Sequence, residues 1–144
     1  MVSLEERIQL MEDKDAIREL TAKYCYAVAA QDSDALIDMF TEDGIFDMPP
    51  DRHFEGREQL SQLYTSGIAE ATPKPFIQNH VINVDGDTAT GNCAVEIRLV
   101  EKGIAMTACG FYNDKYRRVN GEWKFAHRDF KLYHWVPLSE GWGN

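Results

Sequence analysis

The stretch GFYNDKYRRVNGEWKFAHR, residues 110–128, carries an Asn120-Gly121 pair between two aromatic runs. Both residues of a two-residue hairpin turn need positive φ, which Asn and Gly tolerate better than other residues. Trp123 and Phe125 are two residues apart, so they share one face of a strand. The pattern therefore predicts one long hairpin over residues 104–135, with an aromatic face that packs against a large apolar surface.

Two further turn-forming sequences lie upstream, Asp85-Gly86-Asp87 and Lys102-Gly103. Links this short join antiparallel neighbours and cannot hold a parallel crossover. The second half of the chain is therefore predicted to be a meander of four long strands. These strands are predicted over residues 76–84, 88–100, 104–119 and 122–134.

Helices are predicted before this meander. Ser3 and Glu6 fit a capping box, and apolar residues then recur at three- and four-residue steps, which predicts a long helix ending at Ala30. Asp32 has the side chain of an N-cap and should open a short second helix. A third helix is predicted over residues 57–71.

Three shorter segments interrupt this helical half. The charged run Asp13-Lys14-Asp15 is predicted to bend or restart the first helix, and Thr41-Glu42-Asp43-Gly44 to form a turn. A short strand over 45–48 and a loop over 51–53 should follow. Helices first and a meander afterwards predict an α+β fold, in which a curved sheet wraps the helices and leaves a pocket.

Composition and net charge limit the classes of partner that the chain can be expected to bind. The chain has 144 residues, 44% of them hydrophobic, as expected for one folded domain. Its 15 basic and 24 acidic residues give a net charge of −9, which repels phosphate backbones and anionic lipids. We therefore expect neither a nucleic-acid nor a membrane partner. The N-terminus lacks the pattern of a secretory signal, so the expected compartment is the cytoplasm.

Cysteine and histidine spacing gives no metal signature. Cys25, Cys93 and Cys109 are far apart, with no CxxC pair, and are predicted to be reduced thiols in the core. No HExxH, GxGxxG, GxSxG or P-loop motif occurs. The sequence therefore predicts neither a metal nor another cofactor.

Several short sequence words occur together in a recognisable order. They are AIREL at 16–20, KYCYAV at 23–28, FTEDG at 40–44, NHV at 79–81 and GEWKFAHR at 121–128. With these words the chain resembles the SnoaL-like branch of the nuclear transport factor two-like superfamily. GFYNDKY at 110–116 and YHWVPL at 133–138 look similar to its dehydrochlorinase and bile-acid dehydratase members. The resemblance implies a cone-shaped, mixed or antiparallel sheet around the N-terminal helices.

The resemblance also implies an active site. Small lyases of this family, such as scytalone dehydratase, pair an Asp near the end of the first helix with a His on the first long strand. His80 falls on the histidine position, Tyr24 on a tyrosine that polarises substrate oxygen, and Ala29 on the Asp position. The implied function is a cofactor-free lyase or isomerase. His80 would remove a proton from a small cyclic apolar substrate, and Tyr24 would steady its oxygen.

His80 and Tyr24 also have structural interpretations, Tyr24 as a packed helix tyrosine and His80 as a core histidine. Phe76, Ile82 and Val84 are predicted to share the strand face of His80, where a core histidine is common. Without a carboxylate partner the imidazole should lose about 10²–10⁴ in rate. The Ala29 methyl is expected to face His80 across a gap of carboxylate size.

Two more residues are candidates for substrate binding. Tyr112 is predicted to form part of the pocket wall. Arg128 should either anchor a polar or anionic substrate group or form an ion pair at the rim of the sheet.

Two alternatives to the lyase remain open, a non-catalytic binding domain and a polyketide-cyclase-like enzyme that uses another acid. The outer face of the sheet should carry Ile77, Val81 and Phe111, too many apolar groups to leave in water. A homodimer or homotrimer built on this face is therefore expected.

Overall fold

The computed structural model describes residues 1–142, which form one six-stranded sheet and three α-helices. The elements are α1 (Leu4–Ala30), α2 (Ser33–Asp38), β1 (Phe40–Met48), β2 (Arg52–Glu55), α3 (Gly56–Gln62), β3 (Lys74–Asp85), β4 (Thr88–Glu101), β5 (Ile104–Val119) and β6 (Glu122–Pro137). A π-helical segment (Leu63–Gly67) and a 3₁₀ turn (Leu138–Glu140) complete them. The strand order is β2-β1-β6-β5-β4-β3, with only β1 and β6 parallel. The predicted α+β class, with a mixed sheet packed on the N-terminal helix, is confirmed.

The long hairpin is present as predicted. Asn120 and Gly121 have φ of 51° and 80°, and β5 and β6 pair from Val119–Glu122 outward. Positive φ at both turn residues matches the right-handed twist of the flanking strands. Trp123 and Phe125 are both buried in the core, which confirms the aromatic face.

Two β-bulges change which residues face inward. On β6 the register shifts between Phe125 and His127, so the inward positions continue at Arg128 and Phe130. A bulge inserts one residue and reverses the alternation beyond it. The buried position of Arg128 follows from this extra residue.

The bulge on β3 lies between Gln78 and Val81, where Asn79 has φ of 54°. Two face assignments from the sequence are therefore wrong. Phe76 was expected to share the face of Ile82 but is 50% exposed, and Ile77 packs against the core instead of lying on the outer face. The extra residue shifts the faces on one side of the bulge relative to the other.

The first helix runs without interruption through the charged run, so the predicted restart does not occur. Asp13 is buried and accepts hydrogen bonds from Gln9 Nε2 at 3.0 Å, Trp123 Nε1 at 3.2 Å and the guanidinium of Arg118. These hydrogen bonds satisfy the buried carboxylate of Asp13, which without partners would destabilise the interior of the helix. The predicted caps are confirmed, a capping box at Ser3 and an N-cap at Asp32.

The segment after α2 contains more strand than the sequence indicated. Thr41–Gly44 was predicted as a turn but lies within β1, which pairs in parallel with β6 across a register shift. Arg52 and His53 were predicted in a loop but belong to β2, which pairs with β1. The pairing of β1 with β6 is non-local, so local turn propensity did not reveal it. The pairing of β1 with β2 is a local hairpin, from Met48 to Arg52, that was not recognised from the sequence. No helix among the described residues is long and apolar enough to cross a membrane.

Candidate functional site

A cavity of about 110 Å³ lies between α1, the π-helical segment and the inner face of the sheet, and we call it the cone cavity. Its wall is mostly apolar. The apolar contributors include Val28, Phe46, Leu63, Ile68, Leu99 and Phe130. Hydroxyl groups come from Tyr24, Tyr64 and Tyr112, and Arg52 and Trp135 also border it. A largely apolar cavity with a few convergent polar groups is the usual form of a small-molecule site.

The main polar feature of this wall is a pair of tyrosines. The hydroxyls of Tyr24 on α1 and Tyr64 on the π-helical segment are 2.7 Å apart, and the two rings meet edge to face. Burial raises the pKa of Tyr24 and raises that of Tyr64 still further above its usual value. Both phenols therefore keep their protons at neutral pH. One proton bridges the pair, and the other can be donated to a ligand.

Behind the cavity lies a buried ion pair. Arg128 is 0% exposed, and its Nε and Nη2 each donate to Asp114 at 3.0 Å. The guanidinium carbon is 3.5 Å from the centroid of the Tyr112 ring and 4.5 Å from that of Tyr24. Burial alone would lower the pKa of Arg128, but the Asp114 charge raises it well above its usual value. Arg128 therefore stays charged. Burial raises the pKa of Asp114, but the adjacent guanidinium and its two hydrogen bonds favour the carboxylate form, and the pair supports the cavity wall from behind.

The same carboxylate leads to His80 through a hydroxyl relay. Tyr116 Oη donates to Asp114 Oδ2 at 2.9 Å and lies 3.1 Å from His80 Nε2. Because the single phenol proton goes to the carboxylate, Nε2 must carry the hydrogen of the neutral imidazole and donate to Tyr116. Nδ1 is then unprotonated and lies 3.4 Å from Thr21 Oγ1.

The charge state of His80 follows from its surroundings. Burial, together with the positive charges of Arg128 and Arg18, lowers the pKa of His80 to about 4. The imidazole is therefore neutral at pH 7, the form needed to accept a proton.

The structure separates the residues that the sequence placed in one site. Tyr24 and Tyr112 border the cone cavity, whereas His80 lies beside Thr21 and Tyr116 and is not part of its wall. Arg128 is buried behind that wall.

Ala29 is exposed, so the expectation that its methyl faces His80 is wrong. The helix residue next to His80 is Thr21, eight positions earlier, which is about 12 Å along a helix axis.

Asp114 and Tyr116 were not recognised from the sequence as site residues. A signal for them exists, because Tyr112, Asp114 and Tyr116 alternate on one strand and must share a face. A carboxylate on an aromatic inward face needs a buried cation, which Arg128 supplies. Tyr64 lies within the predicted third helix, over residues 57–71, and was not recognised from the sequence as a site residue.

A second group of titratable side chains lies where β1, β2 and β6 meet. Asp47 accepts hydrogen bonds from His53 and from His127 Nε2, the latter at 2.7 Å. The hydrogen bond to Asp47 raises the pKa of His53 above its usual value. No set of three or more His, Cys, Asp or Glu side chains between residues 1 and 142 has metal-binding geometry.

The comparisons with known proteins agree with this architecture. A family model described as a SnoaL-like domain matches residues 9–129. An NTF2-like protein with a cystatin-like fold from Novosphingobium aromaticivorans is 25% identical, with a TM-score of 0.74 and 92% of each chain covered.

Two further solved structures share the fold. A protein from the same organism, assigned provisionally as a scytalone dehydratase, is 20% identical, with a TM-score of 0.82 and 89% of each chain covered. Hexachlorocyclohexane dehydrochlorinase LinA-type3 from Novosphingobium barchaimii is 18% identical, with a TM-score of 0.82 and 96% and 98% covered. At these identities the likeness establishes the fold alone. The predicted resemblance to the SnoaL-like branch is confirmed.

Proposed function

The chain belongs to the SnoaL-like domain family, and from this premise we propose that it binds a small cyclic, largely apolar molecule in the cone cavity. The observation that carries the proposal is the Tyr24–Tyr64 hydroxyl pair, 2.7 Å apart in a mostly apolar wall. No His, Asp or Glu is among the described residues of that wall. The residues of the wall can therefore recognise a ligand. A reaction that removes a proton would need a basic group from outside the wall.

The cavity limits the size and chemistry of the ligand. An apolar protein cavity of about 150 Å³ holds a benzene molecule, so about 110 Å³ with an opening suits one ring. The spare phenol proton of the tyrosine pair needs an acceptor on that ring, because an unpaired buried donor is costly. A six-membered ring with a carbonyl or hydroxyl oxygen satisfies both requirements.

A ring ligand should be detectable by the fluorescence of Trp135, which borders the cavity. We expect cyclohexanone and phenol to change this emission in a saturable way. Replacing Tyr64→Phe should weaken binding about tenfold, which corresponds to about 1.4 kcal/mol for one buried hydrogen bond.

Tyr26→Phe is the matched control, because Tyr26 lies on the same helix as Tyr24 but is 80% exposed. It should bind as the parent does. Saturable binding that Tyr64→Phe leaves unchanged, or no binding of any ring compound, would overturn the proposal.

A cofactor-free lyase is the second candidate, favoured by the unprotonated Nδ1 of His80. With hydrogen on Nε2, Nδ1 keeps its lone pair, because the neighbouring Thr21 Oγ1 donates its own proton to the Arg18 carbonyl at 2.8 Å. In this candidate Nδ1 removes a proton beside a leaving group, and Tyr24 steadies the oxygen of the substrate. The two solved structures named as a dehydrochlorinase and a dehydratase have the same fold as this chain, which supports this candidate.

Turnover separates the two candidates. Chloride release from a chlorinated cyclohexane and water loss from a cyclic β-hydroxy ketone should be measured beside binding. The lyase requires turnover that His80→Asn abolishes while ring binding persists. If the parent protein binds the rings without turning them over, the result supports the binding function and rules out the lyase.

We also propose a homodimer or homotrimer built on the outer face of the sheet. Val81 is 61% exposed there and Tyr133 is 69% exposed, with the Tyr133 ring beside Phe111. Association would remove these side chains from water. Sedimentation should show an assembly that Tyr133→Glu weakens, and a parent monomer at micromolar concentration would refute it.

A further inference from the structure

Arg52 is the one charged side chain among the described residues that border the cone cavity. It lies on β2, is exposed, and so stands at the mouth of the cavity. Its guanidinium carbon is 5.5 Å from the centroid of the Phe54 ring. The mouth therefore carries a positive charge, whereas the whole chain has a net charge of −9.

This guanidinium has no carboxylate partner within the part of the chain that the structure describes. Other arginines do have one: Arg57 pairs with Asp38, Arg117 with Asp43, and Arg118 with Asp13 and Asp87. An unpaired guanidinium retains its capacity for a bidentate contact with a planar anion. Arg52 is thus free to pair with a ligand.

The β1–β2 hairpin fixes the position of Arg52. Arg52 pairs with Met48 and Phe54 with Phe46, and both β1 residues border the cavity. His53 lies between Arg52 and Phe54 and so points to the opposite face, where Asp47 holds it. The hairpin therefore directs the guanidinium to the cavity side.

We propose that Arg52 makes the cavity selective for rings that carry a carboxylate. The ring lies within the apolar wall, and the carboxylate stays at the mouth on the guanidinium. This inference rests on the proposed binding function and names its ligand class. The apolar wall favours the ring whatever its substituent, whereas only Arg52 distinguishes an anionic substituent from a neutral one.

The test compares 4-hydroxybenzoate with 4-hydroxybenzyl alcohol, a neutral ring of similar size, by titration calorimetry at pH 7 and low salt. The ring hydroxyl of both compounds supplies the acceptor for the spare phenol proton, so the two differ only in the group at the mouth. 4-Hydroxybenzoate should bind about tenfold more tightly or better. Arg52→Gln should abolish this preference and leave the affinity for 4-hydroxybenzyl alcohol unchanged, while Arg52→Lys should keep part of the preference. Salt should reduce the preference, because an exposed charge pair is screened.

Arg98→Gln is the matched control. The guanidinium of Arg98 lies 5.4 Å from the Phe76 ring, much as Arg52 lies over Phe54, but Arg98 does not border the cone cavity. Its loss should leave the preference for 4-hydroxybenzoate intact. Equal binding of the two rings, or an equal loss of preference in both Gln variants, would overturn the role of Arg52 with ring binding intact. If neither ring binds, the proposed function fails and this inference fails with it.

Discussion

Two halves of the cone interior contain tyrosines in opposite electrostatic settings. In the cavity half, Tyr24 and Tyr64 share one hydrogen bond between neutral phenols. In the other half, Tyr116 joins His80 to the buried Asp114–Arg128 ion pair. Charges taken out of water need partners on almost every polar atom, whereas neutral phenols need far less.

This difference explains where a ligand has room. The charged half is occupied by its own network, in which Asp114 accepts hydrogen bonds from Tyr116 and Arg128, and only Arg128 Nη1 lacks a partner among the described residues of this network. The neutral half keeps a cavity, at which the Tyr24–Tyr64 pair has one phenol proton to spare. The buried charges thus support the wall of the site from behind, through the contact of Arg128 with the Tyr112 ring.

The largest expected effect comes from breaking the charged half. Replacing Asp114→Ala leaves the buried Arg128 without its counter-charge, so the free energy of unfolding should fall by about 3–5 kcal/mol. Urea denaturation followed by circular dichroism measures this loss.

A double replacement, Asp114→Leu with Arg128→Met, should recover most of the stability because it removes both charges. Asp43→Ala breaks the exposed pair with Arg117 and should change stability little. An Asp114→Ala protein as stable as the Asp43→Ala protein would refute a structural role for the buried pair.

Matched Tyr→Phe replacements compare the two halves directly. Tyr116→Phe removes a hydrogen bond to a carboxylate and should cost about 2 kcal/mol, within the range for charged partners. Tyr64→Phe removes a bond between neutral hydroxyls and should cost about 1 kcal/mol. The same urea experiment ranks them, and a reversed order would contradict the contrast between the halves.

Much of the fold was predictable because its determinants are local. Asn120-Gly121 specifies its turn by positive φ, and Ser3 and Asp32 mark helix starts with their own side chains. The parallel pairing of β1 with β6 joins segments about 80 residues apart, as between Phe46 and Arg128. No local signal encodes such a pairing, so β1 was predicted too short. The strand β2 was missed although it pairs with β1 as a local hairpin.

The candidate site was predictable only in part, and the β-bulges are the reason. Tyr24 and Tyr112 were expected in the pocket and do border the cavity. Strand residues normally alternate between the two faces of a sheet. The extra residue near Asn79 interrupts this alternation along β3, and the extra residue near Ala126 interrupts it along β6. The family pattern then placed His80 opposite Ala29, although its neighbour on α1 is Thr21.

A pH-dependent effect is also expected, from the protonation of His80. The folded pKa of His80 is about 4 against an ordinary 6.5, so the unfolded chain binds more protons between these values. Stability should therefore fall as pH drops from about 6.5 towards 4, and His80→Gln should make the fall shallower. NMR titration should give a midpoint near 4, with hydrogen on Nε2 above it. A midpoint near 6.5 would show that the ring is not desolvated.

The smallest effect is expected at Ala29. Because this side chain is exposed and remote from His80, Ala29→Asp should change neither stability beyond about 0.5 kcal/mol nor the titration of His80. Thr21→Asp should instead raise the pKa of His80, since a carboxylate would lie where Thr21 Oγ1 is now, 3.4 Å from Nδ1. A shift with Thr21→Asp alone would assign the histidine to the charged half. A shift in the pKa of His80 with Ala29→Asp would show that Ala29 and His80 share one site. It would contradict the separation of the cavity half from the charged half.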